Sequence, residues 1–204
     1  MKKNAMVLLG FGAVGLSFAS LQAEEGKGKM LDSFNTIDLK TVKLSEVKAK
    51  VVSTPDPAHK RVVEVTCDYA KAGGYYHLDK LVPEGLLDAR KYSGFRFWAK
   101  SDTATKFQFG MWGAPDKEGK YCDYRVVDIQ AGPEWKQFTF PFTDFKFFGA
   151  KIFRDGKQIV FPPAPFEESV LPRVQRVGFA FHVENRGNSV VSNVLLDGLE
   201  LVGK

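Results

Sequence analysis

Lys106-Phe107-Gln108-Phe109-Gly110-Met111-Trp112 is the stretch on which the fold turns. Phe107, Phe109 and Met111 alternate with Lys106, Gln108, Gly110 and Trp112, and a strict two-residue period is that of a β-strand with one face in a core. The same grammar lies on either side. In Gly94 to Lys100, Phe95, Phe97 and Ala99 alternate with Arg96, Trp98 and Lys100. In Val174 to Val183, Val177, Phe179, Phe181 and Val183 alternate with Arg176, Gly178, Ala180 and His182. Three strands thus present phenylalanine to a common interior. With 18 Phe in 204 residues, large rings fill much of it. The opposite faces carry two Trp, an Arg, a Gln and a His beside small residues, a mixture that a purely solvated sheet does not need.

Further strands are expected at Leu31 to Asn35, Lys48 to Ser53, Arg61 to Tyr69, Tyr75 to Leu81, Lys120 to Ile129, Trp135 to Phe142 and Asn193 to Val202, at intervals of about ten residues. Turn chemistry separates them, as in Thr54-Pro55-Asp56-Pro57 and Ala114-Pro115-Asp116. Asp155-Gly156 predicts a tight hairpin, because a type I′ turn needs positive φ at both central positions. The proline-rich run from Pro162 to Pro172 lacks ladder donors and predicts a surface loop, with a single helical turn at Phe166 to Val170. No long amphipathic helix competes. The fold class is all-β: a two-sheet antiparallel β-sandwich over residues 31–204.

Met1-Lys2-Lys3, an uncharged run from Ala5 to Ala19 and Ser20-Leu21-Gln22-Ala23 before Glu24-Glu25 make a secretory signal peptide. Residues 1–23 are expected to be removed, leaving 24–30 as a short linker, a periplasmic or secreted location and no membrane segment after cleavage. The formal net charge of +5 demands no nucleic-acid partner. Export would let Cys67 and Cys122 form a disulfide, while their place in strand-like runs equally fits two small buried side chains. Two thiols with His59, His77 and His182 at no metal-ligand spacing do not make a zinc site.

The strings Tyr92-Ser93-Gly94-Phe95-Arg96-Phe97-Trp98-Ala99-Lys100, Pro133-Glu134-Trp135-Lys136-Gln137-Phe138-Thr139-Phe140-Pro141-Phe142, Val177-Gly178-Phe179-Ala180-Phe181 and Leu195-Leu196-Asp197-Gly198-Leu199-Glu200-Leu201 occur in the order found in galactose-binding-like β-jelly-rolls. The chain resembles family 11 carbohydrate-binding modules and the complex I intermediate-associated proteins of the same fold. The resemblance implies a sandwich whose concave sheet holds a glycan chain without catalysis. It also implies a structural calcium ion in some members, at positions matched here by Asn35, where an acid is usual, and Asp197; no other cofactor is implied. The residues themselves favour Asp197 as a plain β-turn or solvated residue over a calcium ligand.

A polysaccharide or oligosaccharide needs planar faces for its C–H side and directional polar groups for its hydroxyls. Trp98, Gln108 and Trp112 lie on the non-core faces of their strands, and Tyr121, Asp123 and Arg125 share one face of theirs. His182 joins them from the Val174 strand, and Tyr75 and His77 stand at one end. Asp123 and Arg125 suit either a mutual ion pair or contacts to vicinal hydroxyls. A glycosidase would need two carboxylates facing each other across the bond. Asp123 and Asp128 read as opposite faces of one strand, and Glu64 with Asp68 lacks an aromatic platform. A protein partner is the remaining alternative, through Phe145, Phe147 and Phe148, three rings too close in sequence to share one face.

Overall fold

The computed structural model describes residues 27–68, 76–181 and 191–204. The leader, Tyr75 and His182 lie outside these residues. Fifteen strands run β1 (Lys29–Asp32), β2 (Val42–Ser45), β3 (Lys48–Ser53), β4 (Arg61–Asp68), β5 (Tyr76–Leu81), β6 (Tyr92–Lys100), β7 (Thr105–Gly113), β8 (Cys122–Ala131), β9 (Lys136–Pro141), β10 (Lys146–Phe147), β11 (Ala150–Arg154), β12 (Lys157–Phe161), β13 (Ala164–Pro165), β14 (Val174–Phe181) and β15 (Val191–Gly203). They form two large antiparallel sheets. One is ordered β3-β4-β15-β6-β9 with β1 also on β15; the other is ordered β13-β10-β8-β7-β14-β5-β2. Among the described residues β11 and β12 pair only with each other.

The core is the phenylalanine layer that the alternation predicts. Phe95 and Phe97 come from one sheet, Phe107, Phe109, Phe179 and Phe181 from the other, and all are buried. Their rings interlock: Phe97 meets Phe179 edge-on at 4.8 Å between centroids and Phe109 at 5.0 Å. Phe34 reaches the same core from the loop after β1 at a φ of 54°, and its ring lies 6.1 Å from Phe179. The side chain of Asp32 accepts from the Phe34 N–H at 2.8 Å and from Lys80 Nζ at 2.8 Å, tying that loop to β5.

Asp155 and Gly156 have φ of 50° and 73° and join β11 to β12, the expected hairpin. Between Pro162 and Pro172, β13 is a two-residue sheet edge and a 3-10 helix begins at Glu168, two residues after the expected turn begins. Several strands depart from the sequence reading, β10 and β13 among them, which lie where no strand was expected. β1 starts at Lys29, ahead of Leu31, because residues 29–32 pair with β15. β2, which the sequence reading passed over, pairs with β5 through Val42 to Ser45. Cys67 is buried on β4 and Cys122 on β8, in different sheets and not bonded to each other.

Candidate functional site

Strand register assembles a polar patch on the outward face of the seven-stranded sheet. Gly110 of β7 lies opposite Arg125 of β8 and Gly178 of β14; Trp112 lies opposite Asp123 and Arg176. β5 contributes His77 and Asp79, whose neighbours Tyr76 and Leu78 go to the core. Ser45, His77, Asp79, Trp112, Asp123, Arg125 and Arg176 line an open cavity of about 280 Å³.

Two arginine–aspartate pairs frame that cavity, one of them bidentate. Arg125 donates from Nε and one terminal nitrogen to the two oxygens of Asp123, at 2.6 and 2.7 Å, and from the other to Gln108 Oε1 at 3.1 Å. Bidentate geometry of this kind fixes the guanidinium plane. Of the two readings of Asp123 and Arg125, the structure shows the ion pair. Across the cavity Arg176 donates to Asp79 at 2.9 Å, and His77 Nδ1 lies 3.5 Å from the other Asp79 oxygen. Asp79 and Arg176 were not singled out as site residues. Asp79 shares the parity of His77 and Arg176 that of His182, so the period that nominated those histidines would have found both.

The expected stacking platform is different. Trp112 is only 7% exposed. A Cβ on Gly110 would stand 2.5 Å from the six-membered ring of Trp112, so the indole lies folded down onto the glycine. His77 covers it at 4.9 Å between ring centroids, and the Arg125 guanidinium stands 5.9 Å from it. The accessible ring here is Phe148, 50% exposed, over whose face the same guanidinium lies at 4.4 Å. Its N–H donates to the Asp123 carbonyl at 3.0 Å, which holds it beside β8. Phe145 and Phe147 are fully buried, so the three-ring surface expected for a protein partner is not formed. Phe145 packs on Phe95 and Phe109, and Phe147 on Tyr124. Tyr121 is exposed one residue before β8 and does not line the cavity. Asp128 is on the Lys106 side of the sheet, 3.8 Å from its ammonium, rather than opposite Asp123. A bulge near Val127 and Asp128, with φ 58° at Asp128, inserts one extra residue and shifts the parity.

Trp98 lies on the other side of the molecule. β6 and β7 are neighbours in sequence but belong to different sheets, so their non-core faces point away from each other. Trp98 packs instead with His59, at 5.0 Å, and His59 stacks on Trp135 at 4.1 Å and 27°. The Nδ1 of His59 is 2.7 Å from Asp197 Oδ2. Asn35 and Asp197 do line one cavity, of about 750 Å³, together with His59, Lys60, Arg61, Trp98 and Glu200. That donor set does not fit calcium, which prefers several free carboxylate oxygens. Asp197 is engaged by His59, Glu200 accepts from Arg96 at 2.6 Å, Asn35 is neutral and two cations share the cavity. Among the described residues no cluster of three or more His, Cys, Asp or Glu is placed to hold a metal ion.

No family model and no curated protein matches the chain. The fold does match solved structures of carbohydrate-binding modules. A family 11 module of a cellulosomal cellulase of Clostridium thermocellum aligns with 87% of this chain and 95% of its own, with 20% identity and a TM-score of 0.59. A family 11 module from the same organism, in complex with a β-1,3-1,4-mixed-linked tetrasaccharide, aligns at 19% identity over 86% of this chain and 95% of its own, TM-score 0.59. An exo-β-agarase matches 87% of this chain over only 26% of its own length, with 10% identity and a TM-score of 0.57. The chain has the jelly-roll sandwich of these modules.

Proposed function

We propose that the protein is an exported, non-catalytic carbohydrate-binding protein that holds an oligosaccharide on the outward face of the seven-stranded sheet. The observation that carries this reading is the cavity framed by the Arg125–Asp123–Gln108 and Arg176–Asp79 groups beside the exposed Phe148 ring. The Asp123 carboxylate, held by the Arg125 fork, keeps lone pairs for sugar hydroxyls while its orientation stays fixed, and an accessible ring offers a face to sugar C–H groups. The fold match to family 11 modules over 87% of this chain and 95% of the module supports it, and the signal-like leader suits a periplasmic or secreted setting. The cavity, at about 280 Å³, falls just below the usual range of ligand-pocket volumes, about 300 to 1,000 Å³. Dissociation constants on the order of micromolar to millimolar are expected for so shallow a contact.

The test is calorimetric titration with a mixed-linkage β-1,3-1,4-glucan tetrasaccharide, followed by a broad glycan array. Phe148→Ala should weaken binding by about 1 to 3 kcal/mol, the scale of ring stacking on a flat ligand, with an unchanged melting temperature because the ring is half exposed. Absence of binding to any glycan on the array overturns the reading.

A further inference from the structure

The cavity on the opposite sheet has no part in the site just described. We propose that it is a second binding site, and that its ligand is an acidic saccharide of the uronate type. Its volume, about 750 Å³, exceeds that of the first site, and its walls come from separate elements. β1 and the loop after it give Met30, Ser33 and Asn35; the β3–β4 loop gives His59 and Lys60, and β4 Arg61; β6 gives Trp98; β15 gives Asp197 and Glu200.

The anchor of the site is built. His59 is 7% exposed, held between Trp98 and Trp135 and bonded through Nδ1 to Asp197. The backbone of the same loop is locked by Thr54, whose hydroxyl donates to the His59 carbonyl at 2.6 Å. Trp98 therefore has a fixed ring at the cavity wall and stays partly exposed there. Such a ring suits the C–H face of a pyranose.

Charge then selects the ligand. Asp197 and Glu200 are each paired, with His59 and Arg96. Lys60 and Arg61 are exposed on the cavity wall, and neither has a carboxylate partner among the described residues. Two unmatched cations favour an anion. The carboxylate oxygens, the Asn35 amide and the Ser33 hydroxyl in the same walls favour a ligand rich in hydroxyl donors over a polyphosphate, which presents acceptors to those same oxygens. One carboxylate per ring, many hydroxyls and an apolar ring face describe an oligouronide.

The experiment titrates the protein with trigalacturonate, followed by calorimetry and tryptophan emission, in parallel with the neutral mixed-linkage tetrasaccharide and with adenosine diphosphate. Trigalacturonate should bind, weaken as salt rises from about 50 to about 500 mM, as exposed charge pairs do, and quench emission. The Lys60→Ala/Arg61→Ala double variant should lose at least about tenfold in trigalacturonate affinity, with unchanged melting and unchanged binding of the neutral tetrasaccharide. No binding of trigalacturonate, equal binding by the double variant, or tighter binding of adenosine diphosphate overturns the proposal. Failure of the neutral tetrasaccharide alone counts against the first site only, because the two ligands are read separately.

Discussion

Gly110 shows how much one missing side chain does in this protein. The indole of Trp112 rests where a Cβ would stand, and the guanidinium of Arg125 and the ring of His77 close over it. Gly110→Ala should lift the indole into solvent, shift tryptophan emission to the red and cost about 1 to 3 kcal/mol, as over-packing does; urea denaturation followed by emission measures both. The sequence reading placed Trp112 on the correct face as an open platform, but alternation is blind to whether a ring stands up or lies down. A second effect at this scale follows from burial. Burial pushes the Cys122 thiol up to about 12 and, with a contribution from Glu167, the Tyr124 phenol up to about 12. The unfolded chain ionises these groups near their ordinary values, about 8.5 and 10, and so holds fewer protons than the fold in the interval above them. Stability should be independent of these two groups below about pH 8 and fall between about pH 8.5 and 12. Melting temperatures across that range check it, and Cys122→Ala should reduce the early part of the decline. Cys122 should also resist alkylation in the native state at pH 8.

At the scale of elements, the phenylalanine strands were fully legible and their partnership was not. Phe97, Phe109 and Phe179 were assigned inward and are buried. Phe97→Ala removes a ring in contact with Phe107, Phe109, Phe138, Phe140 and Phe179, and a loss of about 3 to 5 kcal/mol is expected in chemical denaturation. A strand reads the same whether its inward face looks up or down. β6 facing β7 across the core and β6 beside β7 in one sheet give identical alternation, so Trp98 was grouped with Trp112 although they stand on opposite sides of the sandwich. The Asp155-Gly156 hairpin was legible because its signal is entirely local. The bulge at Asp128 was not, because nothing in Val126-Val127-Asp128-Ile129 marks the inserted residue. Phe145 and Phe147 looked surplus to one strand; a short turn beginning at Phe142 and the two-residue β10 send them inward from different elements.

For the whole molecule, the two sheets have different outward faces: one carries two arginine–aspartate pairs, the other a walled cavity with unmatched cations. The histidine that anchors the second, His59, carried no periodic signal, since it sits in a loop whose sequence reads only as a turn. The export reading makes its own prediction: N-terminal sequencing of material secreted or released from the periplasm should begin near Glu24. A chain beginning at Met1 in that fraction would contradict it. The position of β15 also bears on how this sandwich comes to exist. It is the last strand in chain order, yet it lies between β4 and β6 and is shared with β1. While the chain is being made, β3 can pair with β4 and β6 with β9, but the strand that joins the two pairs comes only after them. At roughly 5 to 20 residues per second, that wait after β9 lasts several seconds. The β3–β4 and β6–β9 pairs therefore cannot join into one sheet until that strand is complete. Until Val191 to Gly203 arrive, the facing edges of β4 and β6 have no strand between them.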